Sequence, residues 1–209
     1  MSAKRVIDQP YGTYSVFVVT QSGIDVKCPQ CGGQGIVISN YGRIRFSCRS
    51  CGKSITKDTG YCRYDVHNQC DGCGRYYRAN ITTEKEQHHA ALRVPCPHCG
   101  YIMQGRVHKT QIDHQPMYPL RHGCEPYFGL ELWFLDEFDG KNVWALNREH
   151  LAYLIDYLEA DLREKPLAPY PVKRTQADQL PGFMKTAKNR KRMVKLLLRM
   201  QRKPRGNQV

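Results

Sequence analysis

Short runs of alternating apolar and polar residues fill the first third of the chain. Residues 13–20 are β-branched and aromatic, which predicts a strand that leads into the segments that follow. Residues 36–38 and 43–47 alternate on either side of Asn40-Tyr41-Gly42. Because this tripeptide is a turn signal between two strand-like runs, the pattern predicts a β-hairpin.

A second β unit is predicted to begin near Tyr61. Residues 74–81 have a strand pattern and residues 91–94 are read as the returning strand. The polar run over 82–89 is then an enlarged loop between them, and a third short strand near 105–111 completes the unit. The first half of the chain is thus expected to be an approximate internal repeat of two small hairpins.

The pattern changes beyond residue 130. Two apolar runs, 130–138 and 142–146, flank Asp139-Gly140, which is a strong signal for a tight hairpin. Asn147 is a good N-cap for a helix from about 148 to 165, where leucines and one isoleucine follow helical spacing. The residues expected to end this helix are Pro166 and Pro169.

A last helix is predicted from Pro181 to about Lys203, and it is strongly two-sided. One side is apolar: Phe183, Ala187, Val194, Leu197 and Leu198, widened by Met193, Leu196 and Met200. The other side carries eight cations: Lys185, Lys188, Lys191, Arg192, Lys195, Arg199, Arg202 and Lys203. Arg190 projects within the apolar sector, which suggests an ion pair with Asp156 or Glu159 on the preceding helix, or a side chain that snorkels to the edge of the stripe.

Cysteine spacing carries the clearest chemistry. Eight of the ten cysteines form four C-x-x-C pairs, and each pair is followed by a glycine that permits a left-handed turn. The first two pairs are separated by 16 residues and the last two by 22, which is typical of four-cysteine zinc sites. The predicted ligand sets are Cys28, Cys31, Cys48 and Cys51 in the first site, and Cys70, Cys73, Cys96 and Cys99 in the second.

A shell of four thiolates leaves no position for water or substrate, so the two predicted zinc ions are structural. Iron in a rubredoxin-like site is an alternative. The hairpin inside the first cluster favours sequential ligation over a cross-brace, in which the first pair joins the third. Cys62 and Cys124 lack a C-x-x-C partner and are read as small buried residues, with a ligand role beside His67, His114 or His122 as the alternative.

These elements define an α+β protein with two zinc ribbons followed by a small β-hairpin and two C-terminal helices. The predicted segments are zinc ribbon 1 with its leading strand (1–60), zinc ribbon 2 (61–111), a linker (112–129), and the hairpin with two helices (130–209).

The charge composition indicates which class of partner the protein binds. The net charge is +13, and residues 165–209 contain thirteen Lys and Arg residues against one acidic residue. This asymmetry points to a polyanion, with nucleic acid ahead of an anionic membrane. The N-terminus has no apolar core long enough for a signal peptide, and no stretch is long enough to span a membrane. Free cysteines in metal-ligand spacing then favour a reducing cytoplasm.

Several aromatic and basic residues have two readings. Trp133 and Trp144 could stack bases, but their apolar context favours a place in the core. Basic and aromatic residues interleave on the ribbon hairpins, where they would suit either nucleic-acid contact or an ordinary solvated strand face. These ribbon residues are Tyr41, Arg43, Arg45, Arg75, Tyr76, Tyr77 and Arg78.

The chain also resembles a family of small bacterial proteins labelled as containing a TFIIB-type zinc ribbon, some of which carry the name of the replication-restart helicase. The resemblance rests on the cysteine pairs together with four strings: Leu132-Trp133, Val143-Trp-Ala-Leu-Asn-Arg-Glu-His-Leu151, Leu162-Arg-Glu164 and Leu180-Pro-Gly-Phe-Met-Lys-Thr-Ala-Lys-Asn-Arg190. The chain has no G-x-x-x-x-G-K-[ST] phosphate loop and is too short for a helicase motor. The resemblance therefore implies a context in DNA replication or repair, and no helicase activity.

The favoured function is non-catalytic binding of DNA or RNA, accessory to replication, repair or transcription. The predicted phosphate contacts are Lys185, Lys188, Lys191, Arg192, Lys195, Arg199 and Arg202. The alternative is a protein–protein adaptor that uses the zinc ribbons as docking modules. No catalytic triad, paired carboxylates or open metal site is evident, so neither an enzyme nor a small-molecule substrate is predicted.

Overall fold

A computed structural model describes residues 3–40, 43–58, 61–83, 91–112, 120–166 and 174–204. The chain folds into two compact units. The first consists of Met1–Ser39, Ile44–Thr56 and Met117–Val209, and the second of Asn40–Arg43 and Lys57–Pro116. The first cysteine cluster therefore belongs to the same unit as the C-terminal region, instead of forming the separate segment 1–60 that the sequence suggests.

The described residues form an α+β structure dominated by short strands. The strands are β1 (Arg5–Ile7), β2 (Ile24–Lys27), β3 (Gln34–Asn40), β4 (Arg43–Cys48), β5 (Ser54–Asp58), β6 (Tyr61–Gln69), β7 (Tyr76–Thr83), β8 (Ala91–Pro95), β9 (Ile102–Arg106), β10 (His108–Ile112), β11 (Phe134–Phe138), β12 (Lys141–Ala145) and β13 (Leu162–Glu164). The α-helices are α1 (Val16–Ser22), α2 (Arg148–Glu159), α3 (Gly182–Lys185) and α4 (Ala187–Gln201), with a 3-10 helix at Gln176–Gln179.

The strand predicted over residues 13–20 is wrong, because the segment forms helix α1. The Ser15 side chain caps this helix by accepting the Val18 N–H, and Val19 and Thr20 are buried. An apolar run of this length fits a short buried helix as well as a strand, and periodicity alone does not separate the two. Here the N-cap decides the outcome.

The first ribbon is a four-stranded sheet in the order β2-β3-β4-β5. The predicted pairing of the strands around residues 36–38 and 43–47 is confirmed as the adjacent β3 and β4, while Tyr41 and Gly42 of the expected turn lie outside the described residues. The outer strand β2 is also hydrogen-bonded to the C-terminal part of the unit. Its Asp25 N–H donates to the Leu146 carbonyl at 2.8 Å, and its Lys27 N–H donates to the Glu131 carbonyl at 2.8 Å. One apolar core then joins sheet and C-terminal residues, including Ile24, Phe46, Tyr127, Leu132 and Leu146.

The C-terminal hairpin is confirmed. Strands β11 and β12 pair antiparallel, and Asp139 and Gly140 at the turn both have positive φ. Asn147 caps α2, as predicted, by accepting the His150 N–H at 2.8 Å. However, α2 ends at Glu159 and not near 165, because residues 162–164 pair in parallel with β1 at the N-terminus. Of the two expected terminating prolines, Pro166 follows β13 and Pro169 lies outside the described residues.

The single helix predicted from Pro181 to Lys203 is two helices. Thr186 adopts an extended backbone between α3 and α4, and its hydroxyl donates to the Gly182 carbonyl at 2.9 Å. The Asn189 side chain satisfies the Phe183 carbonyl at 2.9 Å. These local polar bonds replace the helical ladder at the break. The apolar side of α4 packs on α2 and on β11, as its pattern predicts.

In the second unit, the hairpin expected between residues 74–81 and 91–94 is wrong. Strand β7 pairs with β6, and β8 pairs with β9, while β10 adds to the other side of β6. The third strand expected near 105–111 is divided between β9 and β10. The reason is that each cysteine pair is itself the turn of a hairpin, so the strands that flank one pair are partners. Residues 84–89 of the expected loop lie outside the described residues.

Candidate metal centres and basic helix face

Each C-x-x-C-G pair forms the same tight turn between two strands. In the first, the Cys28 N–H donates to the Gly33 carbonyl at 2.8 Å, and the Gly32 N–H donates to the Cys28 carbonyl at 2.9 Å. A residue with positive φ closes the turn, which is why glycine follows each pair. The φ angles are 71° at Gly32, 72° at Gly52, 70° at Gly74 and 74° at Gly100.

These turns bring the eight predicted cysteines into two sets of four. In each set all four Sγ atoms lie within 4.8 Å of one another, and the sets are Cys28, Cys31, Cys48 and Cys51, and Cys70, Cys73, Cys96 and Cys99. The structure thus groups consecutive pairs, as in sequential ligation, and not the alternate pairs of a cross-brace. The first cysteine of each pair is buried and the second is exposed.

The sulfur spacing fits a tetrahedral ion. The Sγ–Sγ distances are 3.7 Å for Cys28 and Cys51, and 3.5 Å for Cys31 and Cys48. In the second cluster they are 3.6 Å for Cys70 and Cys99, and 3.9 Å for Cys73 and Cys96. A tetrahedral ion with metal–sulfur bonds of about 2.3 Å holds its sulfurs about 3.8 Å apart. Both clusters therefore have the geometry of four-thiolate metal sites.

The thiols within a cluster differ in acidity. Burial alone would raise the pKa of Cys48, but the N–H groups of Cys51 and Ser50 and the neighbouring thiols lower it to about 6. The Gly33 N–H lowers the pKa of Cys31, yet hydrogen bonding with Cys48 raises it to about 12. The corresponding residues of the second cluster are Cys96, with a pKa of about 6, and Cys99, with a pKa of about 12. One thiolate thus forms readily, and a cation is required to assemble four.

The remaining cysteines and nearby histidines stay outside these clusters. Cys62 is buried in β6, as predicted, whereas Cys124 is only partly buried, so its predicted burial is wrong. The Cys124 thiol lies 4.0 Å from the His122 carbonyl. His67 stacks on His108 with ring centroids 4.8 Å apart. Neither Cys62 nor Cys124 joins a group of metal-ligating side chains in the described part of the chain, and His114 lies outside that part.

A fifth turn of the same kind occurs at Glu125-Pro-Tyr-Phe-Gly129, within the segment expected to be a linker. The Glu125 N–H donates to the Leu130 carbonyl at 2.9 Å, and the Gly129 N–H donates to the Glu125 carbonyl at 3.2 Å. Gly129 has a φ of 69°. These are the bonds and the backbone angle of the cysteine turns. Residues 120–129 are therefore a folded turn, while residues 113–119 of the expected linker lie outside the described residues.

In this fifth turn a carboxylate takes the place of the buried thiolate. The Glu125 side chain is buried and accepts the N–H groups of Tyr127 at 2.6 Å, Phe128 at 2.9 Å and Leu130 at 3.0 Å. In the cysteine turns sulfur accepts the equivalent donors, for example the Gln30 N–H on Cys28 at 3.4 Å. The sequence contains a signal for it, because Glu125-Pro-x-x-Gly129 matches Cys28-Pro-x-x-Gly32 and Cys96-Pro-x-x-Gly100.

Helix α4 carries the predicted basic face, but part of its charge is already paired. Arg192 forms two hydrogen bonds with Asp139, at 3.1 and 2.7 Å, and lies over the Phe138 ring. Arg199 contacts Asp136 at 2.7 Å. Burial alone would raise the pKa of Asp136, but the hydrogen bond from Arg199 lowers it below its usual range.

Two further cations of the expected face are held by backbone carbonyls. Lys185 donates to the Ala177 carbonyl at 3.1 Å. Lys203, half-buried beside Trp133, donates to the carbonyls of Trp133 and Leu135 at 2.7 and 3.3 Å. Burial lowers the pKa of Lys203. Of these two residues only Lys185 was among the predicted phosphate contacts, and its bond to the Ala177 carbonyl was not anticipated.

Four cations of the face stay exposed without an acidic partner among the described residues: Lys188, Lys191, Lys195 and Arg202. At about 100° per residue they occupy one strip, next to the strip of Arg192 and Arg199 that faces the hairpin. We refer to these four residues as the free strip. The sequence pattern predicts one continuous basic surface. In the structure, Arg192 and Arg199 are paired with hairpin carboxylates, whereas the free strip is not.

The partner proposed for Arg190 is wrong. Asp156 and Glu159 instead contact the Lys4 ammonium, at 3.1 and 2.6 Å, because the N-terminal strand runs beside the end of α2. The Arg190 Nε is buried and has no hydrogen-bond partner in the part of the chain that the structure describes. Arg190 as a whole is partly buried, and the alternative of a snorkelling side chain stays a prediction.

The aromatic and basic candidates of the ribbons separate into paired and exposed residues. Trp133 and Trp144 are partly buried against the apolar cores, as expected. Tyr77 is buried, Arg43 contacts Asp58 at 2.9 Å, Arg45 contacts Ser54 at 3.0 Å and Arg78 contacts Asp65 at 3.1 Å. Tyr76 is 60% exposed, and it follows the exposed Arg75 directly. Tyr41 lies outside the described residues.

No family model, curated protein or solved structure matches the chain at a significant level. None of the described helices is long and apolar enough to cross a membrane.

Proposed function

We propose that the chain is a non-catalytic nucleic-acid-binding protein whose two units are each stabilised by a zinc ion. The observation that carries the proposal is the free strip of Lys188, Lys191, Lys195 and Arg202 on α4. These four like charges form no ion pair among the described residues, and like charges along one helix face cost stability unless a polyanion neutralises them.

The paired arginines support the same reading by defining the edge of the contact surface. Arg192 and Arg199 neutralise Asp139 and Asp136 of the hairpin, so these two carboxylates repel phosphate less. A phosphate backbone would run along the free strip, and at Lys195 and Arg202 it would border the groove between α4 and the hairpin. The surface formed by the described residues offers no recognition helix in a groove-reading arrangement, so the contacts are expected to be independent of sequence.

Zinc is the proposed metal because the clusters consist of four thiolates in tetrahedral spacing, which zinc and iron favour. Eight cysteines hold two ions in closed shells, so the role is structural. Each ion would join two hairpin turns through the four cysteines that they contribute. Elemental analysis of purified protein identifies the metal.

The test compares two matched double variants by fluorescence anisotropy on labelled single-stranded and duplex DNA and RNA. Lys188→Gln/Lys195→Gln removes two free charges, and Arg192→Gln/Arg199→Gln removes two paired charges at the same seven-residue spacing. Both lower the net charge equally, so long-range attraction changes equally. Gln is nearly as good a helix former as Lys or Arg, which keeps α4 intact.

About four phosphate contacts to duplex DNA predict a log–log slope of affinity against salt near about −3.6. Removing two free lysines should reduce the slope to about −1.8, whereas the paired-arginine variant should keep a slope close to that of the wild type. Equal effects of both variants would contradict the assignment of the free strip. Wild-type protein that binds none of the four nucleic acids at low salt and micromolar concentration would overturn the proposal.

The second candidate is a protein-interaction adaptor, which rests on a different surface. In the second unit Tyr76, Tyr101 and Ile102 are 60%, 53% and 66% exposed, and all three lie within a few residues of its cysteines. Exposed apolar side chains on a rigid metal-stabilised turn suit a protein partner. If nucleic-acid binding fails while Tyr101→Ser/Ile102→Ser abolishes a protein contact found by cross-linking, the adaptor replaces the first proposal.

A further inference from the structure

A groove of about 550 Å³ lies between α4 and the hairpin of β11 and β12, in the first unit. The helix lines one wall with four cations: Arg192, Lys195, Arg199 and Arg202. Two of these, Lys195 and Arg202, belong to the free strip. A polyanion that lies along the free strip therefore borders the groove.

The four cations form two parallel rows along α4. Arg192 and Arg199 form the row that is paired with two hairpin carboxylates. Lys195 and Arg202 form the other row, which has no acidic partner among the described residues. The two members of each row are seven residues apart, which is two turns or about 10.5 Å along the helix axis. Phosphates are attracted to the unpaired row, so the paired row is left for a different contact.

The paired arginines have exposed flat faces. Their side chains are 64% and 67% exposed, although several of their donors are engaged. Hydrogen bonds to a guanidinium lie in its plane, so the carboxylates hold the edges of the group and leave its faces uncovered. One face of Arg192 lies over the Phe138 ring, 4.7 Å from the ring centroid, which leaves the opposite face. Nucleobases stack on guanidinium planes that are held in this way.

The rest of the lining disfavours a phosphate inside the groove. Its floor is apolar, since Phe138 and Leu196 are 5% and 8% exposed and Leu198 is partly buried. On the hairpin wall, Glu137 is exposed and forms no ion pair with the described residues. Its carboxylate repels phosphate and can accept a hydrogen bond from the amino group of a base. The groove therefore suits flat uncharged rings, and the free strip suits the phosphates that carry them.

The size and shape of the groove restrict the nucleic acid further. A cavity of about 150 Å³ holds one benzene molecule, so about 550 Å³ can accept more than one base. In a duplex each base is paired and stacked on its neighbours, and it offers only its edges to a protein. Unpaired bases can turn away from the backbone and place their faces against side chains. The guanidinium faces are therefore accessible to a single strand and not to a duplex.

We propose that the groove between α4 and the hairpin binds unpaired bases of a single-stranded nucleic acid. The bases stack on Arg192 and Arg199 while the phosphates lie along the free strip. This inference rests on the proposed function and narrows its partner from nucleic acid in general to single strands. Stacking accepts every base, so the contact remains independent of sequence. No contact involves the sugar, so DNA strands are sufficient as probes.

The experiment uses full-length metal-loaded protein and fluorescence anisotropy at about 0.15 M salt. The probes are a labelled DNA strand of about twelve nucleotides, a strand of the same length made of abasic sites, and a duplex of the same length. The abasic strand has the same phosphates without bases, so it measures the contribution of the free strip alone. The intact strand should bind about tenfold or more tighter than either of the other probes.

The double variant Arg192→Lys/Arg199→Lys tests the stacking surface without removing charge. Lysine keeps a positive charge near each hairpin carboxylate but lacks the planar guanidinium. Affinity for the intact strand should fall about tenfold or more, while affinity for the abasic strand should change by less than about twofold. The salt dependence of binding should stay that of the wild type, because no phosphate contact is lost.

The matched control is Arg5→Lys/Arg43→Lys. Both residues are paired with carboxylates, their side chains are 70% and 66% exposed, and neither lines the groove. This control should change affinity for every probe by less than about twofold.

Three results would overturn this inference and leave the proposed function standing: equal binding of intact and abasic strands, duplex binding as tight as that of the intact strand, or equal losses in the two Lys variants. Poly-glutamate that displaces the intact strand at equal charge concentration would assign the groove to an acidic protein segment and would also overturn it. Failure of every DNA probe to bind at low salt would overturn the inference, and the proposed function as well if RNA fails too.

Discussion

Replacing Glu125 by Gln should destabilise the first unit far more than an isosteric change at the surface. The carboxylate is 1% exposed. Its Oε2 accepts the N–H groups of Tyr127 at 2.6 Å and Phe128 at 3.2 Å, and its Oε1 accepts those of Phe128 at 2.9 Å and Leu130 at 3.0 Å. Both oxygens are therefore acceptors for backbone donors that have turned inward.

The size of the effect follows from this geometry. Glutamine retains one acceptor oxygen, but its NH₂ group must face at least one of the three N–H donors in either orientation of the amide. A hydrogen bond to a charged group contributes about 1.5–3 kcal/mol, and a buried donor without a partner costs about 1–3 kcal/mol. We therefore expect Glu125→Gln to lower the free energy of unfolding by about 3 kcal/mol.

Urea unfolding followed by tryptophan fluorescence measures this loss in the correct unit, since both tryptophans, Trp133 and Trp144, belong to the same unit as Glu125. The matched control is Glu131→Gln, which removes an exposed ion pair with Lys27 and should cost less than about 1 kcal/mol. A Glu125→Gln variant within about 1 kcal/mol of the control would refute the idea that the carboxylate holds the turn.

Three further predictions address the metal, the orphan arginine and pH. Purified protein should contain two equivalents of zinc by elemental analysis, and Cys28→Ser should reduce this to one, because the clusters share no ligand; loss of both ions would contradict independent sites. Arg190→Met should leave the unfolding free energy unchanged or raise it by about 1 kcal/mol, since a buried unpartnered Nε is removed; a clear loss would indicate a partner. Because the pKa of Asp136 is depressed in the folded protein, this carboxylate contributes stability above about pH 4, and that contribution is lost as the pH falls below it. Asp136→Asn should therefore flatten the acid side of the curve of unfolding free energy against pH. An unchanged curve would speak against the Arg199 pair.

The parts of the fold that the sequence predicts are those in which local chemistry and tertiary structure agree. The C-x-x-C-G pairs specify a turn and its ligands together, so the two clusters follow from spacing alone. Asp139-Gly140 requires positive φ at both positions, and Asn147 supplies the acceptor that a helix start needs. In each case the residues that give the signal lie within a few positions of one another.

The parts that are missed depend on contacts between distant segments. Residues 162–164 leave helix α2 because β1 offers a strand partner about 160 positions away in the chain, a contact without a local pattern. The division of the basic face has the same origin, since Asp136 and Asp139 lie on a hairpin far from α4 in sequence. The Glu125 turn was missed for a different reason. Its Pro and Gly positions match those of the cysteine turns, but it lacks the cysteines by which such turns are recognised in a sequence.

The five related turns separate two tasks that a zinc knuckle normally combines. The first task is to accept the inward N–H groups of the turn, and a single buried acceptor side chain is enough for it: sulfur at Cys28, Cys48 and Cys96, and carboxylate at Glu125. The second task is to join two turns, which a side chain with one charge does not do and a divalent ion does. The Glu125 turn does not require an ion for this, because its flanking residue Leu132 bridges to Val26 in β2 and is fully buried in the adjoining core. A carboxylate is therefore sufficient where a sheet contact and apolar packing already connect the turn, whereas the cysteine turns face one another in pairs whose four sulfurs have the spacing of one metal ion.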